Sequence, residues 1–325
     1  MHSHHSHSGQ YISHGSDKLD DIIEKVISMN FQIFCLTEHM PRYSNNLLYP
    51  EEIEKKYEVN NLILDFNNYF NHASLIQSKI NSDTSNRTKI LVGFEVEGGC
   101  GDEHLQKAVE LKKSKNADII VGSVHHVDSI DIDFDRQTWL KALNETTENN
   151  SIRQFFYNYF KTQQKMLLAL KPEVVGHFDL IRLFLSDDDK DEDGELIKDI
   201  DIESKWPEVW QIINENIDLT ISSNSLIELN SSAIRKGWNS PYPKLDIGKL
   251  ILQKGGKFCL SDDSHGLKQI GLNYLKVLNY CINDLKLDTL YYWDLNYDND
   301  GKKLPLINSI SLEEAKLDPF WNQYK

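Results

Sequence analysis

The chain has 325 residues, 40% of them hydrophobic and 10% aromatic, a composition typical of a globular protein large enough for one α/β barrel. Its 50 acidic and 35 basic residues give a net charge of −15, which disfavours binding to nucleic acid because such binding requires a basic surface. No run approaches the roughly 20 apolar residues that cross a membrane, and the polar start is unlike a secretory signal.

Four scattered cysteines, without a Cys-x-x-Cys pair, indicate reduced thiols rather than a zinc ribbon or a disulfide framework. We therefore expect a cytoplasmic protein with neither a membrane nor a nucleic-acid partner.

The first fourteen residues contain five histidines, namely His2, His4, His5, His7 and His14. On an extended strand His5 and His7 face the same side, so both imidazoles can reach one metal ion. A histidine-rich terminus is also typical of an affinity tag, and this stretch alone leaves both interpretations open.

Downstream, strand-like apolar runs alternate with helical patterns. Helices are predicted over 17–29, about 51–80, 102–115 and about 151–170, and strands over 31–36, 89–94, 118–124, 173–176, 225–229 and 257–260. This alternation predicts parallel strands joined by crossover helices. We find no phosphate-binding loop and no dinucleotide-binding fingerprint.

Polar side chains follow nearly every predicted strand. They are Glu38 and His39, Glu95, His125, His177, Asn230, and Asp263 with His265. The carboxyl ends of barrel strands converge on one face, whereas a doubly wound sheet brings ligands together only near a switch point. Contributions from six strands therefore favour a closed barrel with a site at that face.

Together with the N-terminal histidines, these strand ends supply nine imidazole or carboxylate groups: His5, His7, His14, His39, Glu95, His125, His177, Asp263 and His265. Nine ligands suffice for three ions with open positions for water and substrate. Two ions sharing Glu95 would hold a hydroxide nucleophile, which suits hydrolysis of phosphate esters.

Two acidic stretches have simpler interpretations. Residues 189–194 resemble the opening of a calcium-binding EF-hand loop, but the twelfth position is Ile200 rather than Glu, so we predict a solvated insertion near 186–199. Residues 298–301 are predicted to form a turn. No repeat or linker marks a second domain, and we predict a single domain over 1–325.

The ordered motifs resemble those of the polymerase and histidinol phosphatase (PHP) superfamily, and more narrowly its fungal-type histidinol-phosphate phosphatases. The matching motifs are His5-Ser6-His7, His14-Gly15, Glu38-His39, Gly93-Phe94-Glu95, Ser123-Val124-His125, Gly176-His177, residues 230–235 and Asp263-Ser264-His265. The resemblance implies a distorted (β/α)7 barrel and hydrolysis of L-histidinol phosphate, a small-molecule substrate, in histidine biosynthesis.

The resemblance also implies a site with three divalent ions, zinc first, with iron or manganese as alternatives. It implies that His5, His7, Glu95 and Asp263 hold one ion, that Glu95, His125 and His177 hold a second, and that His14, His39 and His265 hold a third. Arg235 looks like the family's phosphate-binding arginine, whose guanidinium matches phosphate oxygens geometrically.

Further substrate contacts are expected from Asn230, Ser232, Glu97 and Arg42, with a structural role as the alternative for Glu97 and a surface position as the alternative for Arg42. Asp262 should point away from the site, and Glu38 should pair within the barrel. Changes at His2 and His4 should have little effect. The alternative functions are a PHP-type hydrolase of another phosphomonoester and a non-catalytic metal-binding barrel.

Overall fold

The computed structural model describes residues 1–298 and 303–324. Its strands are β1 (His2–Ser3), β2 (Ile33–Leu36), β3 (Lys89–Gly98), β4 (Ile119–Val124), β5 (His126–Val127), β6 (Ile130–Asp131), β7 (Val174–Val175), β8 (Leu226–Asn230), β9 (Phe258–Ser261), β10 (Thr289–Tyr297) and β11 (Lys303–Ser311). Seven of them form one parallel sheet in the order β1-β2-β3-β4-β7-β8-β9.

Helices connect these strands. They are α1 (Leu19–Ser28), α2 (Pro50–Glu54), α3 (Val59–Ser82), α4 (Asp102–Lys115), α5 (Arg136–Thr146), α6 (Ile152–Leu170), α7 (Ile202–Lys205), α8 (Pro207–Ser222), α9 (Ser232–Arg235), α10 (Leu245–Gln253), α11 (Tyr274–Asn279) and α12 (Leu312–Lys316). In α1, Leu19, Ile22, Ile23 and Val26 are buried, as the helical spacing predicts. Among the described residues, no helix is both long and apolar enough to cross a membrane.

The N-terminal histidine segment closes the sheet into a barrel. The His4 amide donates to the Leu260 carbonyl at 3.2 Å, and the His7 amide donates to the Ser264 carbonyl at 2.7 Å. A parallel bridge between Ser6 and Ser264 completes the junction between β1 and β9. The predicted (β/α)7 barrel is therefore confirmed, and the histidine run is one of its strand segments.

The barrel interior has an apolar end and a polar end. Eight apolar residues form one cluster at the first end: Ile33, Cys35, Leu91, Ile119, Val121, Val174, Leu226 and Cys259. Side chains alternate along a strand, so positions of the same parity further along point into the barrel as well. This alternation brings Glu95, His125, Glu228 and Asp263 to the other end.

An antiparallel hairpin of β10 and β11 covers the apolar end of the barrel. Tyr292 and Leu295 join the interior cluster, and Trp293 donates from its amide to His4 Nε2 at 3.0 Å and from its indole to the Glu173 carbonyl at 2.8 Å. The sequence analysis did not predict this hairpin. Residues 299–301 of the predicted turn lie outside the described residues.

The acidic segment 186–199 lies outside the sheet. Asp189 pairs with Arg136 of α5, and Asp191 accepts hydrogen bonds from the amides of Asp193 and Glu195. A bridge between Lys190 and Leu196 folds the segment back on itself.

Candidate metal centre

A cavity of about 290 Å³ opens at the polar end of the barrel. Seven of the nine predicted ligands line it: His14, His39, Glu95, His125, His177, Asp263 and His265. His5 and His7 lie beneath them, and their side chains are fully buried. The structure thus brings all nine residues into one region of the molecule.

The donors Glu95, His125 and His177 converge on one point. Glu95 Oε1 lies 3.1 Å from His177 Nε2 and 3.3 Å from His125 Nε2, and the two imidazole nitrogens are 3.2 Å apart. Tetrahedral zinc with bonds of about 2.0 Å separates its ligand atoms by roughly 3.3 Å. These three atoms therefore have the mutual spacing of ligands that share a metal ion.

A second group surrounds the other oxygen of Glu95. Oε2 lies 3.0 Å from His5 Nε2 and 3.3 Å from His7 Nε2, while Asp263 Oδ1 lies 3.7 Å and 3.5 Å from the same two nitrogens. Despite the short distances, neither imidazole Nε2 has hydrogen-bond geometry toward a described partner. Glu95 is placed to bridge this group and the first one.

A third group lies nearer the surface. His14 Nε2 and His39 Nε2 are 3.2 Å apart, and the rings of both pack against His265. His7, His39 and His265 together can present ligand atoms within 4.8 Å of one another. His14 is 27% exposed in its side chain and approaches this group from a loop. The third metal site was predicted to contain His14, His39 and His265. The structure also brings His7 beside His39 and His265.

Buried oxygens lie close to the Nδ1 atom of four of these imidazoles. Glu228 lies 3.2 Å from His5 Nδ1, Glu97 lies 2.9 Å from His39 Nδ1 and 3.1 Å from His125 Nδ1, and the Asp263 carbonyl lies 3.0 Å from His265 Nδ1. At His5 and His265 the oxygen is a hydrogen-bond partner of Nδ1, which fixes the tautomer and leaves Nε2 free to bind a metal, whereas the oxygens of Glu97 lie close to His39 and His125 without hydrogen-bond geometry.

Glu228 lies among the donors, and the sequence analysis did not single it out. It is fully buried and also accepts hydrogen bonds from the His177 amide at 2.6 Å and from Asn230 Nδ2 at 2.7 Å. The sequence feature that could have identified Glu228 is its position as a single charged residue within the apolar run of β8. Glu38, as predicted, pairs within the barrel, where it accepts hydrogen bonds from the amide and hydroxyl of Ser8.

The centre carries a surplus of buried negative charge. Six carboxylates are at most 5% exposed, namely Glu38, Glu52, Glu95, Glu97, Glu228 and Asp263, and Arg42 is the buried cation paired with two of them. Burial by itself raises the pKa of Glu95, but the charges of His5, His125 and His39 outweigh burial and hold that pKa well below its usual range. The donor set therefore fits divalent cations, which would neutralise this surplus.

Arg235 lines the same cavity, as expected for a residue that contacts phosphate. Its guanidinium donates to the Asp263 carbonyl at 3.1 Å, which holds it beside the donors. Asn230 and Ser232 do not line the cavity. Both are fully buried, Asn230 bonded to Glu228 and Ser232 donating to Asp263 Oδ2 at 3.1 Å. Their positions do not fit the expected substrate contacts and indicate a role in orienting carboxylates.

Glu97 and Arg42 are also turned away from the cavity. The Arg42 guanidinium is 3% exposed, donates to Glu97 Oε1 at 2.9 Å, pairs with Glu52, and lies 3.9 Å from the centre of the Tyr49 ring. Arg42 is thus neither a surface residue nor placed for a phosphate contact, and Glu97 contacts Arg42 and the imidazoles of His39 and His125.

The remaining polar residues of the motifs have structural partners. Asp262 points away as predicted, accepting hydrogen bonds from the Ser3 hydroxyl and the Gly271 amide. His2 and His4 are buried and hydrogen-bonded to the backbone of β9. Because both imidazoles belong to the barrel wall, we now expect changes at His2 and His4 to lower the stability of the fold, an effect that the sequence analysis did not anticipate.

Fold and site together define a class: a (β/α)7 barrel with a histidine- and carboxylate-rich centre at the carboxyl ends of its strands. Residues 3–232 match the PHP domain family, and the chain belongs to that family.

Two fungal relatives cover most of the chain. Histidinol-phosphatase of Saccharomyces cerevisiae is 38% identical over 338 aligned residues, which cover 99% of both chains. The probable histidinol-phosphatase of Schizosaccharomyces pombe is 40% identical over 278 aligned residues, which cover 86% of this chain and 85% of the relative.

Two solved bacterial structures share the fold. The putative histidinol phosphatase of Listeria monocytogenes has a TM-score of 0.66 at 20% identity, covering 85% of this chain and 99% of the other. Histidinol phosphate phosphatase of Lactococcus lactis, crystallised with zinc, L-histidinol and phosphate, has a TM-score of 0.56 at 16% identity, covering 85% and 90%.

Proposed function

We propose that this protein is a phosphoric monoester hydrolase that cleaves L-histidinol phosphate to L-histidinol and orthophosphate in histidine biosynthesis. The observation that carries the proposal is the convergence of the nine donors and Arg235 at one cavity. The near full-length similarity to the yeast histidinol-phosphatase supports the same substrate.

We further propose three divalent ions in this centre, one shared by His5, His7, Glu95 and Asp263, one by Glu95, His125 and His177, and one by His39 and His265 with His14. Zinc is the proposed metal, with iron and manganese as alternatives, because imidazole and carboxylate donors suit all three. The zinc bound by the Lactococcus protein supports this choice.

Such ions supply an activated water as nucleophile and positive charge for the phosphoryl oxygens. The chain's own residues position the reactants. Arg235, anchored by the Asp263 carbonyl, directs a guanidinium into the cavity, where its fork can bind two phosphate oxygens. Glu228 is hydrogen-bonded to His5 Nδ1 and orients that imidazole, and the carboxylate of Glu97 lies 2.9 Å from His39 Nδ1 and 3.1 Å from His125 Nδ1.

We also propose that the enzyme works in the cytoplasm, where its four free cysteines stay reduced. The test is elemental analysis of the purified protein, followed by phosphate release from L-histidinol phosphate beside a panel of other phosphomonoesters. Preferential release from L-histidinol phosphate supports the proposal. Release from another ester alone would point to a different PHP-type hydrolase, and bound metal without release from any ester would indicate a non-catalytic barrel.

A further inference from the structure

The outer part of the cavity carries charged residues that the metal donors do not use. Two are carboxylates, Asp131 and Asp133, and two are cations, Arg235 and Lys236; a third carboxylate, Glu51, lies 3.8 Å from His14 Nδ1. A phosphate monoester presents an anion to the donors, so the cations have an obvious partner. A phosphate group offers no partner to the carboxylates, because both are negatively charged. The carboxylates therefore indicate a second, positively charged part of the ligand.

Asp131 and Asp133 are held close to the proposed metal ligands by the backbone. Asp131 ends β6, which pairs with β5 directly after His125, and the Ile132 amide donates to the His125 carbonyl at 2.9 Å. The two aspartates thus have a fixed position relative to the donors. The cavity's role in ligand binding rests on the converging nitrogens of His125 and His177, independently of these acids.

Asp131 and Asp133 are close to each other, and little positive charge lies near them. Asp131 Oδ1 accepts a hydrogen bond from the Asp133 amide at 2.9 Å, and Asp131 forms no ion pair with any described residue. The nearest cation to Asp133 is Lys236, with Nζ 4.0 Å from Oδ2. Burial and the charge of Asp133 raise the pKa of Asp131. A bound cation would relieve this repulsion.

Phe134 extends this acidic pair with an exposed aromatic ring. It is 47% exposed and lines both the main cavity and an adjoining cavity of about 190 Å³, which Tyr49 and Asp131 also line. An aromatic face beside carboxylates suits a ligand that combines an apolar or aromatic ring with positive charge.

We propose that Asp131 and Asp133 bind the ammonium group of the substrate and that Phe134 packs against its imidazole ring. This inference rests on the proposed function. In L-histidinol phosphate the ammonium-bearing carbon is attached to the phosphoester methylene, and the imidazole is one methylene further. A phosphoryl group at the donors and Arg235 therefore leaves the cationic part to the outer cavity. The protein selects aminoalkyl phosphates over neutral phosphomonoesters.

The test compares two substrates in the metal-loaded full chain: L-histidinol phosphate and its analogue without the amino group. The double variant Asp131→Asn/Asp133→Asn should lower kcat/KM for L-histidinol phosphate by about 10- to 100-fold, mainly through KM, as for loss of a charge-assisted contact. For the analogue it should change kcat/KM less than about threefold. Phe134→Ala should weaken the binding of both substrates, since both carry the imidazole ring.

Asp128→Asn is the matched control, because Asp128 is exposed in the turn of the same hairpin and outside the cavity. Metal content is measured for each variant. Equal losses on both substrates, or no loss on either, would overturn the subsite. If the wild type does not cleave L-histidinol phosphate, the comparison is made with 2-aminoethyl phosphate and ethyl phosphate. No preference for the cationic ester, or one that persists in the double variant, would then refute the subsite separately from the proposed function.

Discussion

The amide of His7 donates a 2.7 Å hydrogen bond to the carbonyl of Ser264, joining the start of the chain to its last histidine motif. This bond closes the barrel and at the same time sets His5 and His7 beside Asp263. The contact that closes the barrel therefore also positions two residues of the candidate metal centre. A chain shortened by its first seven residues should lose the closing strand as well as two ligands.

His4→Ala should destabilise the fold without removing a metal ligand. The imidazole donates from Nδ1 to the Leu260 carbonyl at 3.1 Å and accepts from the Trp293 amide at 3.0 Å. Loss of two buried hydrogen bonds and the ring volume should lower the free energy of unfolding by about 2–4 kcal/mol, measured by urea denaturation. His72→Ala, at a site with a partly exposed side chain, should cost no more than about 1 kcal/mol. Equal effects of the two changes would contradict the barrel-wall role of His4.

Glu228→Gln should weaken metal binding although Glu228 is not a proposed ligand. The amide keeps the shape of the side chain but can no longer accept hydrogen bonds at both oxygen positions from His5, the His177 amide and Asn230. We expect a loss of about 10- to 100-fold in metal affinity, measured by competition with a chelator. Glu173→Gln, at the other end of the barrel, is the control and should bind metal as the wild type does. Unchanged metal affinity in Glu228→Gln would show that Glu228 does not support metal binding.

The sequence predicts the fold, and it places the nine proposed donors at strand ends that the structure brings together, because both depend on local patterns. A strand-like run followed by Glu95 or His125 places a polar group at a strand end, whatever the rest of the chain does. The burial of Arg42 was not predictable in this way, because it depends on Glu52 and Glu97 reaching it from separate elements. Likewise, β10 and β11 cover the barrel through tertiary contacts that no local period encodes.

Arg235→Ala should lower kcat/KM for phosphate release by about 10²- to 10³-fold while leaving the metal content unchanged. The guanidinium lines the cavity and is anchored on the Asp263 carbonyl rather than on a ligand side chain. Arg235→Lys should recover part of the loss, because an ammonium keeps the charge but not the planar fork. Kinetics and elemental analysis on the same samples check this. Loss of metal in Arg235→Ala would assign Arg235 to the support of Asp263 instead of to substrate.

Metal removal should proceed in steps, with the ion near His14 leaving first. His14 is the most exposed of the nine donors, at 27% of its side chain, whereas His5 and His7 are fully buried. Graded chelation followed by elemental analysis should show one ion released before the rest. His14→Ala should contain about one ion fewer than the wild type, and Glu95→Gln should lose more because Glu95 faces two groups of donors. Release of all ions in a single step would argue against a distinct outer position.

His104→Leu should protect the protein against acid. His104 is 5% exposed in the first turn of α4, and neither ring nitrogen has a hydrogen-bond partner among the described residues. Burial is the largest cause of a lowered pKa at His104 and outweighs the charge of Glu97, which raises it. With the smaller lowering by the charge of Arg42, the pKa falls from 6.5 to about 4. The unfolded chain therefore takes up a proton that the folded chain resists, so stability is lost as pH falls from about 6.5 to about 4. The loss amounts to roughly 3 kcal/mol at most.

The measurement is the free energy of unfolding of the wild type and His104→Leu at pH 7.5, 6 and 5, with metal content determined at each pH. All other ionisable groups are the same in both proteins, so their contributions cancel in the difference. That difference should grow in favour of His104→Leu as the pH falls, whereas His72→Leu, at a site with a partly exposed side chain, should show no comparable growth. A difference that stays constant from pH 7.5 to pH 5 would mean that His104 can be protonated within the fold at little cost.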